Sequence, residues 1–332
     1  MKSGMIRSVL IMLLLLPVTA FAEPDRTATA TATSAPTPDA MKTTAPDNMK
    51  CGYFDCIPLE PLVDEVTYTV REKNTVAAQA SKWGVPVAVM TSLNTNLTPE
   101  TMLSPGQKVL VDARLASEAV PYSSGRCNRG RLYHARLMPE IEGAFLRSNR
   151  PNTWGTDTTI QALMTLFKAY HDAFPDAQPI NLGDISRRRG GRIKPHKSHQ
   201  SGRDVDIGFA HLAVPDEKQD KKDDKHDSKH DEKRKERFIR ATSENLDLEK
   251  TWFIVETLVR TGTVKVIYVD RMVMKWLYQY VSGRLTQQQR EFFFSNPRHP
   301  NSSSAILQHW PGHRNHFHVR FDCPPDQPGC RH

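Results

Sequence analysis

Apolar and polar positions change period several times along the 332-residue chain, and the changes mark its organisation. Thr67-Tyr68-Thr69-Val70 predicts a strand. Val76, Ala77, Ala80 and Trp83 then follow helical spacing, with Asn74 or Thr75 as cap and Gly84 as stop. Pro86 suits the first turn of a second helix carrying Val87, Val89, Met90 and Leu93. Pro105-Gly106-Gln107 turns into the strand Lys108-Val109-Leu110-Val111. Residues 67–112 therefore read as a small strand–helix–helix–strand module, followed by a linker over 113–125. A larger domain over 126–332 begins after it. Asp157 is placed to cap a helix with Ile160, Leu163, Met164, Phe167 and Tyr170 on one face. A second helix carries Leu248, Trp252, Val255, Leu258 and Val259, ending at Gly262. Val264–Val269 reads as a strand, 271–281 as a helix, and Thr286 as the cap of a last helix. The fold class expected is α+β.

Three stretches do not fit this pattern. Lys2 and Arg7 precede the apolar run Val9–Leu16, then Pro17 and Ala20-Phe21-Ala22. This is the form of a signal peptide cleaved after Ala22, and the run is shorter than the ~20 residues a membrane span needs. Residue 23 is Glu rather than Cys, which argues against a lipid anchor. Residues 23–66 read as a disordered Thr/Ala/Pro-rich spacer with a small Cys51–Cys56 loop at its end. Residues 216–237 are an insertion in which 18 of 22 side chains are charged, so no core can form there. His226 and His230 within it could collect a metal, but a solvated insertion is the better reading.

Charge sharpens the division. The net +8 is uneven: residues 23–112 hold 7 basic against 11 acidic side chains, while 113–215 hold 15 against 9. Uniform coating of nucleic acid is therefore a poor reading of the charge. Arg187-Arg188-Arg189, Arg192, Lys194 and Lys197 cluster, and suit acidic peptides or wall polymers, or form only a solvated rim. Export permits disulfides. Cys51 with Cys56 and Cys323 with Cys330 are the local pairings, leaving Cys127 over.

The small module carries a specific pattern: Tyr68-Thr69-Val70, Thr75-Val76, Trp83-Gly84-Val85, Leu93-Asn94 and Leu103–Val109. It resembles a LysM domain, which implies binding to the N-acetylglucosamine-containing glycan of peptidoglycan. It departs from that family at Lys73-Asn74, where Gly-Asp is usual.

Histidine concentrates in two blocks, His196–Asp206 and His313–Arg320. Val205, Ile207 and Phe209 alternate with Asp204, Asp206 and Gly208; Phe317, Val319 and Phe321 alternate with His316, His318 and Arg320. Both read as strands with one apolar and one polar face. If they pair, Asp206 and the histidines rise from one side, and the Gly-containing loop after His199 can return its ring over them. Two imidazoles and a carboxylate suit a three-ligand zinc site with an open position, although ligand type alone also admits iron or copper.

His199-x-x-Gly202-x-x-x-Asp206 followed by His316-Phe317-His318 resembles the zinc peptidases of the lysostaphin and D-Ala-D-Ala peptidase superfamily. Gly190-Gly191-Arg192, His196, Ser198-His199-Gln200, Asp204–Ile207 and Trp310 through Arg320 narrow the resemblance to penicillin-insensitive murein endopeptidases. It implies an α+β domain on a small antiparallel sheet, with Zn2+ held by His199, Asp206 and His318. His316 would handle the proton of a zinc-activated water, and His313 and His196 would line the site and help the oxyanion. The implied activity is hydrolysis of D-alanyl cross-links in peptidoglycan, in the periplasm or outside the cell. Alternatives are a D,D-carboxypeptidase and a non-catalytic wall-binding protein. The module would act as a tether, so deleting 23–112 should impair action on sacculi and spare soluble cross-linked muropeptides. Nucleic acid and, after signal cleavage, a membrane anchor are not expected partners.

Overall fold

The computed structural model describes residues 49–114, 119–147, 151–212, 238–294, 304–324, 327 and 329–332, all within the unit Ala45–His332. The signal segment, the Thr/Ala/Pro-rich stretch up to residue 48 and the charged insertion, with His226 and His230, lie outside the described residues.

The module forms around two short pairings. Strand β1 (Glu65–Thr69) is followed by β2 (Asn74–Thr75), α1 (Val76–Trp83), α2 (Val87–Leu93), β3 (Met102–Leu103) and β4 (Lys108–Ala113). β1 pairs antiparallel with β4 and β2 with β3. The Thr75 hydroxyl accepts from the Ala78 amide at 3.2 Å and starts α1. Gly84, at φ 67°, closes it in the left-handed region that favours glycine.

This module is not a free tether. Val66, Tyr68, Val76, Trp83 and Val109 share one buried cluster with Leu132, Leu137 and Trp154 of the larger domain. The buried Tyr68 hydroxyl donates to the Met138 carbonyl at 2.6 Å, and the Arg147 guanidinium sits 3.6 Å from the centre of its ring. The Trp154 indole N–H donates to the Gly84 carbonyl at 3.2 Å. A Cβ on Gly84 would stand 2.1 Å from the Pro151 carbonyl oxygen, so the contact requires glycine for space as well as for φ. Arg114, in the expected linker, donates to the His134 and Ala135 carbonyls. The expectation of a module separated from the larger domain by a linker is therefore corrected: apolar side chains of both share one buried cluster.

The expected spacer is corrected in the same way over residues 49–66. A 3-10 turn at Met49–Cys51 and the Cys51–Cys56 disulfide begin an ordered strap. The Ile57 amide donates to the Arg260 carbonyl at 2.9 Å, and the Glu60 amide to the Thr165 hydroxyl at 2.8 Å. Phe54, Leu59 and Leu62 pack on the main core.

The larger domain starts with the hairpin β5 (Tyr122–Arg126) and β6 (Arg129–Tyr133), inside the segment read as linker. Then come β7 (Arg136–Leu137), β8 (Phe145–Arg147), β9 (Trp154–Gly155), α3 (Asp157–Ala173), β10 (Ile180–Leu182) and β11 (Asp204–Gly208). They are followed by α4 (Leu248–Arg260), β12 (Val264–Val269), α5 (Arg271–Val281), α6 (Gln287–Phe293), β13 (Leu307–His309) and β14 (His316–Phe321). Thr156, not Asp157, caps α3, accepting from the Thr159 amide at 3.3 Å. Asp157 sits in the first turn and pairs with Arg136 at 2.7 Å instead. Thr286 and Gln289 form the reciprocal cap of α6.

The main sheet has the order β13-β12-β14-β11-β10-β8. Its centre is antiparallel, as expected, but β8–β10 and β12–β13 are parallel, so the sheet is mixed. Parallel neighbours need a crossover, and α3 supplies one while α5 and α6 supply the other. β8 and β13 are three residues each, too short to leave a periodic signal. Val205, Ile207, Phe317, Val319 and Phe321 form one face of the sheet and are buried with side chains of α3, α4 and α5. That leaves the opposite face of β11 and β14 for polar residues. Cys323 and Cys330 form the second disulfide, and Cys127 is free and buried.

Candidate metal centre and active site

Strand register sets out the site. β11 and β14 align Asp206 with His318, Gly208 with His316 and Asp204 with Arg320. β12 adds Tyr268 opposite His318, so Tyr268, His318 and Asp206 form a row across three strands. All three are on the polar side, because their neighbours Ile267, Val319 and Ile207 face the core.

The loop before β11 brings His199 over this row. His199 has φ 63°, unusual for a residue with a side chain, and its amide donates to Asp204 Oδ2 at 3.1 Å. Its Nδ1–H donates to the Ile185 carbonyl at 3.1 Å. That bond holds a proton on Nδ1 and turns Nε2 inward. Nε2 is buried without a hydrogen-bond partner and lies 3.2 Å from Asp206 Oδ1. An imidazole fixed by a backbone carbonyl, with an orphaned buried nitrogen aimed at a carboxylate, is the form of a metal ligand.

Asp206 is the hub. His318 Nδ1 lies 3.1 Å from its Oδ1, His316 Nε2 3.7 Å from Oδ1, and His196 Nδ1 3.7 Å from Oδ2. Burial would raise the Asp206 carboxyl, but His199 and the other imidazoles outweigh it and hold it well below the usual carboxylate range. Asp204 is held low in the same way against burial, by His318 and by a two-point pair with Arg320 at 2.8 and 3.2 Å. Burial pushes His318 down, yet the two aspartates prevail and hold it up to about 9. His316 goes the other way. Burial, reinforced by His313 and His318, outweighs Asp206 and pushes it down to about 4.

His316 is oriented from two sides. Its Nδ1–H donates to Asn315 Oδ1 at 2.7 Å, and the Phe238 ring stacks on it at 4.9 Å. Gly208 makes room for that ring: a Cβ there would be 3.2 Å from Phe238. His316 thus presents a neutral Nε2 towards Asp206, 3.7 Å from its Oδ1. His313 stands 4.8 Å from His316, ring to ring, and burial lowers its pKa too. His196 Nε2 lies 3.0 Å from Asp184 Oδ2.

All six residues singled out in the sequence therefore meet at one place. The ligand atoms of His196, His199 and Asp206 lie within 4.8 Å of one another, a group able to hold a metal. His196, expected only to line the site, thus competes with His318 for a ligand position. Sequence reading passed over Asp184, Asp204 and Phe238 as site residues. Asp204 lies in the quoted motif and is one alternation from Asp206. Asp184 carried no local signal; it reaches the site because β10 lies beside β11, with the Gly183 amide donating to the Asp206 carbonyl at 2.8 Å.

With this arrangement in place, comparison with known families is decisive. The family model for penicillin-insensitive murein endopeptidase matches residues 123–332. The chain belongs to that family. Murein endopeptidases are peptidoglycan hydrolases, and the family is one of metallopeptidases. The match begins within the β5–β6 hairpin and takes in every side chain of the site, while β1 to β4 lie outside it. No curated protein matches the chain. Among the described residues no helix is long and apolar enough to cross a membrane.

The charge balance gives a testable consequence for metal-free protein. His318 gains affinity for its proton on folding, so its contribution to stability is full below pH ~6.5 and is lost as pH rises through about 9. Melting followed by circular dichroism in chelator should give a Tm several degrees lower at pH 9 than at pH 6. His318→Asn should lack most of that difference. An equal difference in both proteins would show that other groups set it.

Proposed function

We propose that the protein is an exported, zinc-dependent endopeptidase that hydrolyses D-alanyl cross-links of peptidoglycan, with β1 to β4 acting as a LysM module on the glycan. The observation that carries the metal assignment is His199, locked by Ile185 with its buried Nε2 facing Asp206. His199, Asp206 and His318 would hold the ion, and their donors suit zinc. A bound zinc supplies a water of lowered pKa and polarises the scissile carbonyl.

The chain's own residues do the rest. His316 Nε2, neutral and aimed inward, takes a proton from the attacking water. Asn315 and Phe238 keep that nitrogen pointed at the site. His313, on the same side, is placed to steady the oxyanion or protonate the leaving amine. No covalent intermediate is needed. His316→Gln should retain metal while losing about 10²–10⁴-fold in kcat, the usual range for a general acid–base group. Metal content and turnover of a cross-linked muropeptide dimer check this, and unchanged kcat would remove His316 from the mechanism.

One observation favours a second ligand set, in which His196 replaces His318: its nitrogen shares the compact group with His199 and Asp206. Metal affinity of His196→Ala and His318→Ala separates the two, because loss of a ligand costs far more binding than loss of a neighbour. Export is supported by the N-terminal charged and apolar run and by the two disulfides. The LysM reading is supported by the order and pairing of β1, α1, α2 and β4.

A further inference from the structure

The β5–β6 hairpin has two unlike faces. Its register sets Tyr122 against Tyr133, Ser124 against Arg131 and Arg126 against Arg129, and directly opposed residues share a face. Tyr122, Arg126, Arg129, Arg131 and Tyr133 are all exposed, whereas Ser123 and Leu132 on the reverse face are buried. The two tyrosines are stacked at 4.6 Å with an interplanar angle of 11°, and are 40% and 42% exposed. Large rings left this open at the surface have no core role to explain them.

The arginines beside them have no carboxylate partner among the described residues. Neither segment 119–139 nor segment 185–203 contains an Asp or Glu. The second segment lies against the hairpin: Arg131 bridges to Gly190, and the Gln200 amide donates to the Cys127 carbonyl at 3.0 Å. It adds exposed Arg187, Arg189, Arg192 and Lys197 to the same region. The result is a group of exposed cations on two neighbouring segments beside a stacked aromatic pair, which will concentrate anions.

We propose that this surface binds uncleaved, carboxylate-bearing peptidoglycan next to the bond being cut. Arginine forks match carboxylates of the peptide stems, and the tyrosine faces match sugar rings or peptide planes. A polyphosphate or single-stranded nucleic acid would satisfy the charge as well. Adjacency favours the substrate polymer: the segment that carries Arg192 and Lys197 also carries His196 and His199, so a polymer held by these cations lies close to the candidate metal site. The inference rests on the proposed activity for the identity of that polymer, and adds a recognition surface outside the catalytic side chains and outside β1 to β4.

The test uses full-length protein, purified sacculi, and the same sacculi with their free carboxylates amidated. Wild type should pellet about 10-fold less well on amidated sacculi, and less well with rising salt. The triple variant Arg126→Gln/Arg129→Gln/Arg131→Gln should bind native sacculi several-fold less well than wild type and should lose less on amidation, the remainder belonging to Arg187, Arg189, Arg192 and Lys197. Its kcat on a soluble cross-linked dimer should stay at the wild-type value. Tyr122→Ala/Tyr133→Ala should also weaken pelleting, without changing the amidation effect. Wild-type pelleting by the triple variant would overturn the proposal. So would weakened binding to polyphosphate or single-stranded DNA with sacculus binding intact, or a loss of kcat on the soluble dimer equal to the loss of pelleting. If wild type cleaves neither sacculi nor dimer, the proposed activity fails while the pelleting series still decides the surface.

Discussion

His199→Ala should leave a folded protein that neither retains a stoichiometric metal nor cleaves cross-linked muropeptides, with activity down by roughly 10³-fold or more, the equivalent of ~4 kcal/mol of lost Lewis-acid stabilisation. His199 and Asp206 belong to both candidate ligand sets, so this result is required whichever of His196 and His318 completes the site. The change removes a fully buried ring and its bond to the Ile185 carbonyl, at a stability cost of about 1–3 kcal/mol. Far-UV circular dichroism should therefore remain close to wild type. Metal analysis after gel filtration and a dimer-cleavage assay are the two readings. Metal retained at one equivalent, with full turnover, would refute the ligand assignment.

Removal of residues 49–112 should damage the peptidase itself and not merely its targeting. Leu132, Leu137 and Trp154 are almost fully buried, and share a cluster with side chains of β1, α1 and β4. Exposing them forfeits on the order of 5 kcal/mol at ~1.5–3 kcal/mol for each large apolar side chain. That is a large part of the ~5–15 kcal/mol that holds a domain folded. The Met138 carbonyl loses the Tyr68 hydroxyl, and Arg147 loses the ring it covers. The truncated protein should aggregate, or melt ~10–20 °C lower, with loss of activity on soluble and insoluble substrates alike. Trp154→Ala in the full chain should move Tm the same way by a smaller amount. A truncated protein with unchanged Tm and full activity on soluble dimers would restore the tether and contradict the shared core.

The polar row across β11 and β14 was readable because the two strands alternate cleanly. With Ile207 and Phe317 committed to the core, Asp206, His316 and His318 had only one other side to occupy. His199 was readable from the Gly-containing loop that returns it. Asp184 was not, since its place depends on β10 lying beside β11, a long-range pairing with no local period. The same limit hid the parallel edges of the sheet. The docking of β1 to β4 was missed for a different reason. Tyr68, Trp83 and Trp154 look like ordinary core residues in sequence, and nothing local distinguishes a ring buried within a module from one buried between two. The stretch 113–125 read as a linker because it lacks apolar alternation, yet Arg114 and β5 anchor its two ends by hydrogen bonds.

The most direct test is one digestion of purified peptidoglycan by the full-length protein, with and without chelator, and product masses read by liquid chromatography. Cross-linked dimers should convert to monomers without release of free D-alanine. Chelator should stop the reaction and added zinc should restore it. Dimers left intact, free D-alanine as the main product, or cleavage indifferent to chelator would each contradict a zinc-dependent endopeptidase built on His199 and Asp206.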